Sequence, residues 1–216
     1  MSDLSIELTS LRAASGGDEV CLSITLTDGE HTERRTLTLL TAQYAAMKPE
    51  RGPLSREFYE KLVIQSDICA AVRRGIYLLG FGASSQKGLV RKLQSKGIDV
   101  RVARSAVAYL TRTGYINEES DALREAERGL KKRWDKKRIA SSLFVKGYGE
   151  EVISHTLDSL DEDEIAENCR FEASKLLRGD NTLESRKKAY ASLSRMGYSS
   201  SEIRAALSHF SSEYDE

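Results

Sequence analysis

The chain has 216 residues, 40 % of them hydrophobic and 31 % charged, which is room for one ordinary domain or two small ones with a soluble surface. Its longest apolar stretch, Ile76 to Ala83, falls far short of the ~20 residues that cross a bilayer, and MSDLSIELTS lacks the basic-then-apolar order of a secretory signal. Cys21, Cys69 and Cys169 are odd in number and far apart, which excludes a disulfide framework and any CxxC motif, so the expectation is a cytoplasmic protein with no membrane segment and no metal.

The formal net charge of zero hides a segregation. Residues 1–60 carry 6 Lys/Arg against 10 Asp/Glu, residues 61–116 carry 10 against 2, residues 117–165 carry 9 against 13, and residues 166–216 carry 8 against 8. Screening confines each charge to about 8 Å at physiological salt, so local fields decide which partners suit the surface.

In chain order, residues 4–12, 19–26 and 32–40 alternate polar and apolar side chains and are rich in Thr, Ile and Leu. That period of two predicts half-buried strands. Ser15-Gly16-Gly17-Asp18 and Asp28-Gly29 supply the turns. Pro49 and Pro53 flank Arg51-Gly52 in a short linker, and no proline follows. A proline-free stretch dense in Lys, Arg, Glu, Ala and Leu predicts helices, because one interior proline costs a helix about 3 kcal/mol.

An internal repeat with a period of fifty residues organises the rest. Gly97, Gly147 and Gly197 align without gaps; Leu93, Leu143 and Leu193 stand four residues before them, and Leu89, Ile139 and Ala189 eight before. Ala103, Ile153 and Ile203 lie six after, and Val107, Leu157 and Leu207 ten after. Each copy reads as a capped helix (Ser85, Asp135 or Ser185 as cap), a glycine stop, and a second helix opened by Asp99, Gly149 or Ser199. Further helices are predicted over roughly 66–80, 118–132 and 163–177. The expected fold is mainly α: tandem three-helix repeats in an elongated, curved array, with a small β-rich segment at 1–52 and repeats over 53–116, 117–161 and 162–216.

Three stretches carry a family likeness. They are Arg91-Lys92-Leu93-Gln94-Ser95-Lys96-Gly97-Ile98, Tyr109-Leu110-Thr111-Arg112-Thr113-Gly114-Tyr115-Ile116-Asn117-Glu118-Glu119, and Lys131-Lys132-Arg133-Trp134-Asp135-Lys136-Lys137-Arg138-Ile139. In these the sequence resembles the RecX regulators of bacterial recombination over about residues 65–210, and the Gly-Tyr-Ile-Asn-Glu stretch is the most specific part. Two features depart from the family pattern: Phe81-Gly82-Ala83-Ser84-Ser85 lacks the arginine usual there, and Asp121-Ala122 replaces an aromatic-alanine pair. The resemblance implies a non-enzymatic, cofactor-free modulator that binds the groove of a RecA filament on single-stranded DNA as a monomer. It also implies modulation of RecA's ATPase, coprotease and strand-exchange activities, in the family typically a restraint, though some members favour the filament instead.

The residues present fit few other chemistries. His31, His155 and His209 stand alone, without metal-ligand or triad spacing. Gly80-Phe81-Gly82 with Lys87 has no Gly-Lys-Ser/Thr and no preceding buried strand, so it is not a phosphate loop. Asp161-Glu162-Asp163-Glu164 reads as a helix start, where negative charge suits the macrodipole.

The candidate contact residues for RecA or DNA are Lys131, Lys132, Arg133, Lys136, Lys137 and Arg138, backed by Arg91, Lys92 and Arg101. Trp134 reads either as an interhelix packing residue or as part of that surface. The rival reading is a direct nucleic-acid-binding module built on the basic helix. Against it stand the balanced total charge and the sparse aromatics, 7 % of residues. A helical scaffold for some other protein is the third reading.

Overall fold

Alternating Ile and Leu side chains in the first forty residues build three antiparallel strands: β1 (Ser5–Ala13), β2 (Glu19–Asp28) and β3 (His31–Leu40). The computed structural model describes residues 4–14 and 16–210; Ser15 of the first predicted turn, residues 1–3 and residues 211–216 lie outside the described residues. A short helix, α1 (Thr41–Met47), and a two-residue strand, β4 (Gly52–Pro53), follow, and the sheet order is β3-β2-β1-β4. The register shifts between Leu8 and Ser10, where Thr9 donates its hydroxyl to the Ser23 carbonyl. This bulge accommodates one extra residue of β1.

The chain then becomes helical throughout: α2 (Arg56–Leu79), α3 (Gln86–Gln94), α4 (Val100–Arg112), α5 (Glu118–Lys131), α6 (Lys136–Lys146), α7 (Glu150–Asp158), α8 (Glu162–Leu177), α9 (Leu183–Met196) and α10 (Ser200–His209). Fold class is thus mainly α with a small N-terminal antiparallel sheet. The first long helix differs from the sequence expectation by starting at Arg56 rather than near residue 66. Ser55 caps it by accepting the Phe58 N–H, directly after the last proline. The extra turns carry Tyr59 and Leu62, which close over Ile6, Leu8, Leu22, Ile24 and Leu39 on one face of the sheet.

The described chain divides into two compact units, residues 1–82 with 89–115, and residues 83–88 with 116–216. In the first, α2 packs on the sheet and on α4, where Leu110 lies so close to Gly75 that a Cβ there would fall 2.6 Å from its methyl. In the second, Ile139, Leu143, Leu160, Ile165, Leu193 and Ile203 join one continuous core drawn from α5 to α10. The first turn of α3 belongs to this unit. Its cap, Ser85, accepts the Gly88 N–H and donates its hydroxyl to the Lys146 carbonyl at the end of α6, 2.7 Å away. Fifty residues on, a related junction recurs as Gly197, just past α9, lies against the backbone of Lys137 at the start of α6.

The repeat glycines stop helices as their spacing predicts. Gly97, Gly147 and Gly197 have φ of 83°, 93° and 96°. At Gly147 the glycine N–H reaches the Phe144 carbonyl and the Tyr148 N–H reaches Leu143, the paired closure of a Schellman end. Asp99, Gly149 and Ser199 are the caps that follow. Ser185 is not a cap, however: α9 begins three residues earlier than expected because Thr182 accepts the Ser185 N–H, leaving Ser185 inside the first turn. Gly147→Ala is expected to destabilise the second unit by about 1 kcal/mol, because alanine must hold a left-handed conformation there. A urea melt of the full chain with an unchanged midpoint would contradict this.

Candidate partner-binding surface

The basic stretch predicted to bind a partner is the turn between α5 and α6. Helix α5 ends at Lys131, and the Arg133 N–H then donates to Leu130 while the Trp134 N–H donates to Gly129. That is the same Schellman closure, but arginine occupies the position that Gly97, Gly147 and Gly197 hold at the repeat ends. Arg133 has φ 59°, a conformation costing a side-chain-bearing residue about 1 kcal/mol. Its guanidinium lies 3.7 Å from the Phe171 ring centroid, and the Lys175 ammonium lies 4.3 Å from the same ring.

Trp134 is the second platform. Arg138 sits 4.6 Å and Lys132 5.6 Å from its ring centroid. The indole is half-buried against the core, and a Cβ at Gly129 would stand 3.1 Å from its Cε3 atom. Trp134 thus packs between helices, as the first reading expects, and its face carries two cations. Contacts of this kind are worth about 0.5–1 kcal/mol at exposed sites. They orient Lys132, Arg133 and Arg138 without neutralising them, so the full charge remains available to an anionic partner.

Lys131, Lys132, Arg133, Lys137 and Arg138 are exposed. Lys136 is different. Its ammonium is 2.8 Å from a Glu202 carboxylate oxygen, with the two side chains 26 % and 21 % exposed, so its charge already ties α6 to α10. Burial by itself would raise the Glu202 pKa. The Lys136 ammonium and the Ser199 N–H and hydroxyl together outweigh it and hold this carboxyl below its ordinary range.

Arg91 and Lys92 stand exposed in the last turn of α3, where positive charge suits the helix dipole, and Arg101 is exposed in the first turn of α4. These three belong to the first unit and the 131–138 stretch to the second. Sequence reasoning missed Phe171 and Lys175 on α8, because nothing local links them to a turn almost forty residues earlier.

The rest of the chemistry-bearing residues are quiet. Burial pushes the Cys69 thiol up to about 12 and the Cys169 thiol up to about 11, which keeps both protonated at neutral pH. Asp161 caps α8 by accepting the Asp163 and Glu164 N–H groups. Among the described residues no group of His, Cys, Asp or Glu could hold a metal ion, and no helix is long and apolar enough to cross a membrane.

No protein-family model matches the sequence. Individual proteins do. The chain is 30 % identical over 160 residues to the regulatory protein RecX of Xanthomonas axonopodis pv. citri (strain 306), spanning 73 % of this chain and 91 % of that one. With the regulatory protein RecX of Stenotrophomonas maltophilia (strain R551-3) it shares 32 % over 141 residues, 62 % of this chain and 83 % of the relative. The protein of the same name from Chlorobium phaeobacteroides (strain BS1) is 29 % identical over 133 residues, 61 % of this chain and 87 % of the relative. Among solved structures, a crystal structure of regulatory protein RecX matches with a TM-score of 0.69 at 16 % identity, over 92 % of this chain and 97 % of the other. That of RecX from Lactobacillus salivarius matches with 0.60 at 19 % identity, over 67 % and 97 %. At these identities the structural matches establish a common fold.

Proposed function

The chain belongs to the RecX family, and on that premise we propose that it is a non-enzymatic regulator of the RecA recombinase. It acts on the filament that RecA forms on single-stranded DNA, binds along the filament groove, and restrains ATP hydrolysis, coprotease activity and strand exchange. The observation that carries this reading is a likeness to a regulatory protein RecX over 91 % of that relative's length, so that the likeness is not confined to one shared motif.

The exposed turn at Lys131, Lys132 and Arg133 and the cations of α6 are the contact surface this reading assigns, with Arg91, Lys92 and Arg101 as a second patch. Charged contacts of this kind steer encounter with an acidic protein surface or a phosphate backbone more than they add net affinity. Several helical units bound along neighbouring protomers would gain from tethering, because each later contact becomes intramolecular.

The test is direct. Adding the full-length chain in steps to RecA on single-stranded DNA should lower the DNA-dependent ATPase rate, and the chain should co-sediment with the assembled filament more strongly than with free RecA. A rate unaffected at saturating concentration would overturn the reading. Equal affinity for filament and bare DNA at matched salt, falling steeply as salt rises, would favour a nucleic-acid-binding module instead.

A further inference from the structure

Two hollows open beside Lys137 and Arg195 in the second unit, and both residues line both. The first, about 590 Å³ in volume, lies among α6, α8 and α9, with Arg138, Ser141 and Ser192 as further polar lining and Leu176 and Met196 as apolar floor. The second, about 450 Å³, adds Lys136 and Ser194 and has Ala140 and Leu157 as its apolar side. Each is of a size suited to a small ligand or a segment of a larger one. Gly197 brings the end of α9 this close: a Cβ there would lie 3.4 Å from the Lys137 backbone nitrogen.

The charges of the groove are poorly matched from within. Taken together the two hollows hold Lys136, Lys137, Arg138 and Arg195 beside Asp135 and Asp158. With Lys136 already paired to Glu202, Lys137, Arg138 and Arg195 face those two carboxylates. Asp135 is already engaged, accepting the Arg138 N–H at 2.8 Å as the cap of α6. Lys137 has no ion-pair or hydrogen-bond partner for its ammonium among the described residues. The Arg195 guanidinium donates to the Ala191 carbonyl at 3.3 Å and to the Ser192 hydroxyl at 3.1 Å. Those bonds hold its plane while leaving its other N–H groups unused.

We infer that this α6–α9 groove is a polyphosphate site that takes two neighbouring phosphate groups of one ligand, one in each hollow, with Lys137 and Arg195 shared between them. An anchored guanidinium fits phosphate oxygens in a bidentate way, an ammonium adds a point charge, and serine hydroxyls can donate to the remaining oxygens. Carboxylates offer only two oxygens in one plane and leave such donors idle. The apolar floors suit a sugar or base attached to the phosphates. The source is either a single-stranded nucleic acid or a free polyphosphate such as a nucleoside triphosphate. This inference shares Lys137 and Arg138 with the contact surface assigned under the recombinase reading, but its test needs only α6 to α9 and a ligand, so the two can fail separately.

The experiment uses the full chain without RecA. A labelled short oligothymidylate and inorganic tripolyphosphate are titrated at low salt, singly and in competition, against the wild type, Lys137→Glu/Arg195→Glu and the milder Lys137→Gln/Arg195→Gln. Lys96→Glu/Arg104→Glu, which makes the same charge change in the first unit, is the control. Wild-type binding of either probe, lost by about tenfold or more in both groove variants and kept within about twofold in the control, supports the site. Which probe binds, or whether the two compete, assigns the source. Three results overturn it: neither probe binds, the groove variants bind as wild type, or the control loses as much as they do. Equal binding of a polyglutamate peptide of matched charge would also overturn it, by reducing the groove to a general positive field. Circular dichroism establishes folding of each variant.

Discussion

Leu143→Ala is expected to lower the stability of the second unit by about 3 kcal/mol, among the largest effects of any single substitution in the chain. Leu143 is 1 % exposed and sits in the continuous core of α5 to α10 with Ile139, Tyr148, Ile153 and Leu193. Removing its isobutyl group takes away buried apolar area and leaves a cavity that rigid neighbouring helices can fill only in part. The adjacent residue provides the contrast: Phe144 is 65 % exposed, and Phe144→Ala should move the urea midpoint by about 0.5 kcal/mol or less. Leu93→Ala, at the corresponding position of the first unit, should cost as much as Leu143→Ala, since Leu93 is 0 % exposed. Far-UV circular dichroism across a urea series measures all three. A Leu143→Ala midpoint no lower than that of Phe144→Ala would contradict the packing described for α6.

The second large effect concerns the turn. Replacing Lys131, Lys132 and Arg133 together by Glu should raise the concentration needed for half-maximal effect on RecA's ATPase by about tenfold or more, because reversal changes the field that steers encounter. Stability should change little. The three side chains are exposed, and what is lost within the protein is the contact of Arg133 with Phe171 and of Lys132 with Trp134, each worth about 0.5–1 kcal/mol. Wild-type potency in the triple variant would move the contact surface to Arg91, Lys92 and Arg101. Repeating the titration at higher salt separates the causes, since a steering effect fades as screening grows.

Local signals account for what was readable in the chain. The strands over 4–12, 19–26 and 32–40 were visible because alternation reports burial on one face, and β1, β2 and β3 keep those positions within a residue or two. The helix ends at Gly97, Gly147 and Gly197 were visible because a left-handed stop nearly demands glycine and three stops in one register reinforce each other. Where two signals competed nearby, reading failed. Thr182 and Ser185 are both acceptable caps, and the sequence has no means of weighing them; in the structure Thr182 accepts the Ser185 N–H, while the Ser185 hydroxyl donates to the Asp180 carboxylate. Arg133 was unreadable in a different way, as a left-handed residue with no glycine to announce it.

By itself, then, the amino-acid order determined the helical class, the small sheet and the basic character of 131–138, which depend on residues within about one turn or one strand of each other, and the fifty-residue repeat, which shows as the same local pattern returning in one register. Tertiary structure alone decided which of those cations remain available. Lys136 is bound to Glu202, sixty-six residues away, while Arg133 and Lys175 share the ring of Phe171 and Lys137 lines a groove with Arg195 without an ion pair of its own among the described residues. The physical reason is that a charge's partner is chosen by proximity in space, and the folding of α8, α9 and α10 onto α5 and α6 creates proximities that spacing along the chain does not encode.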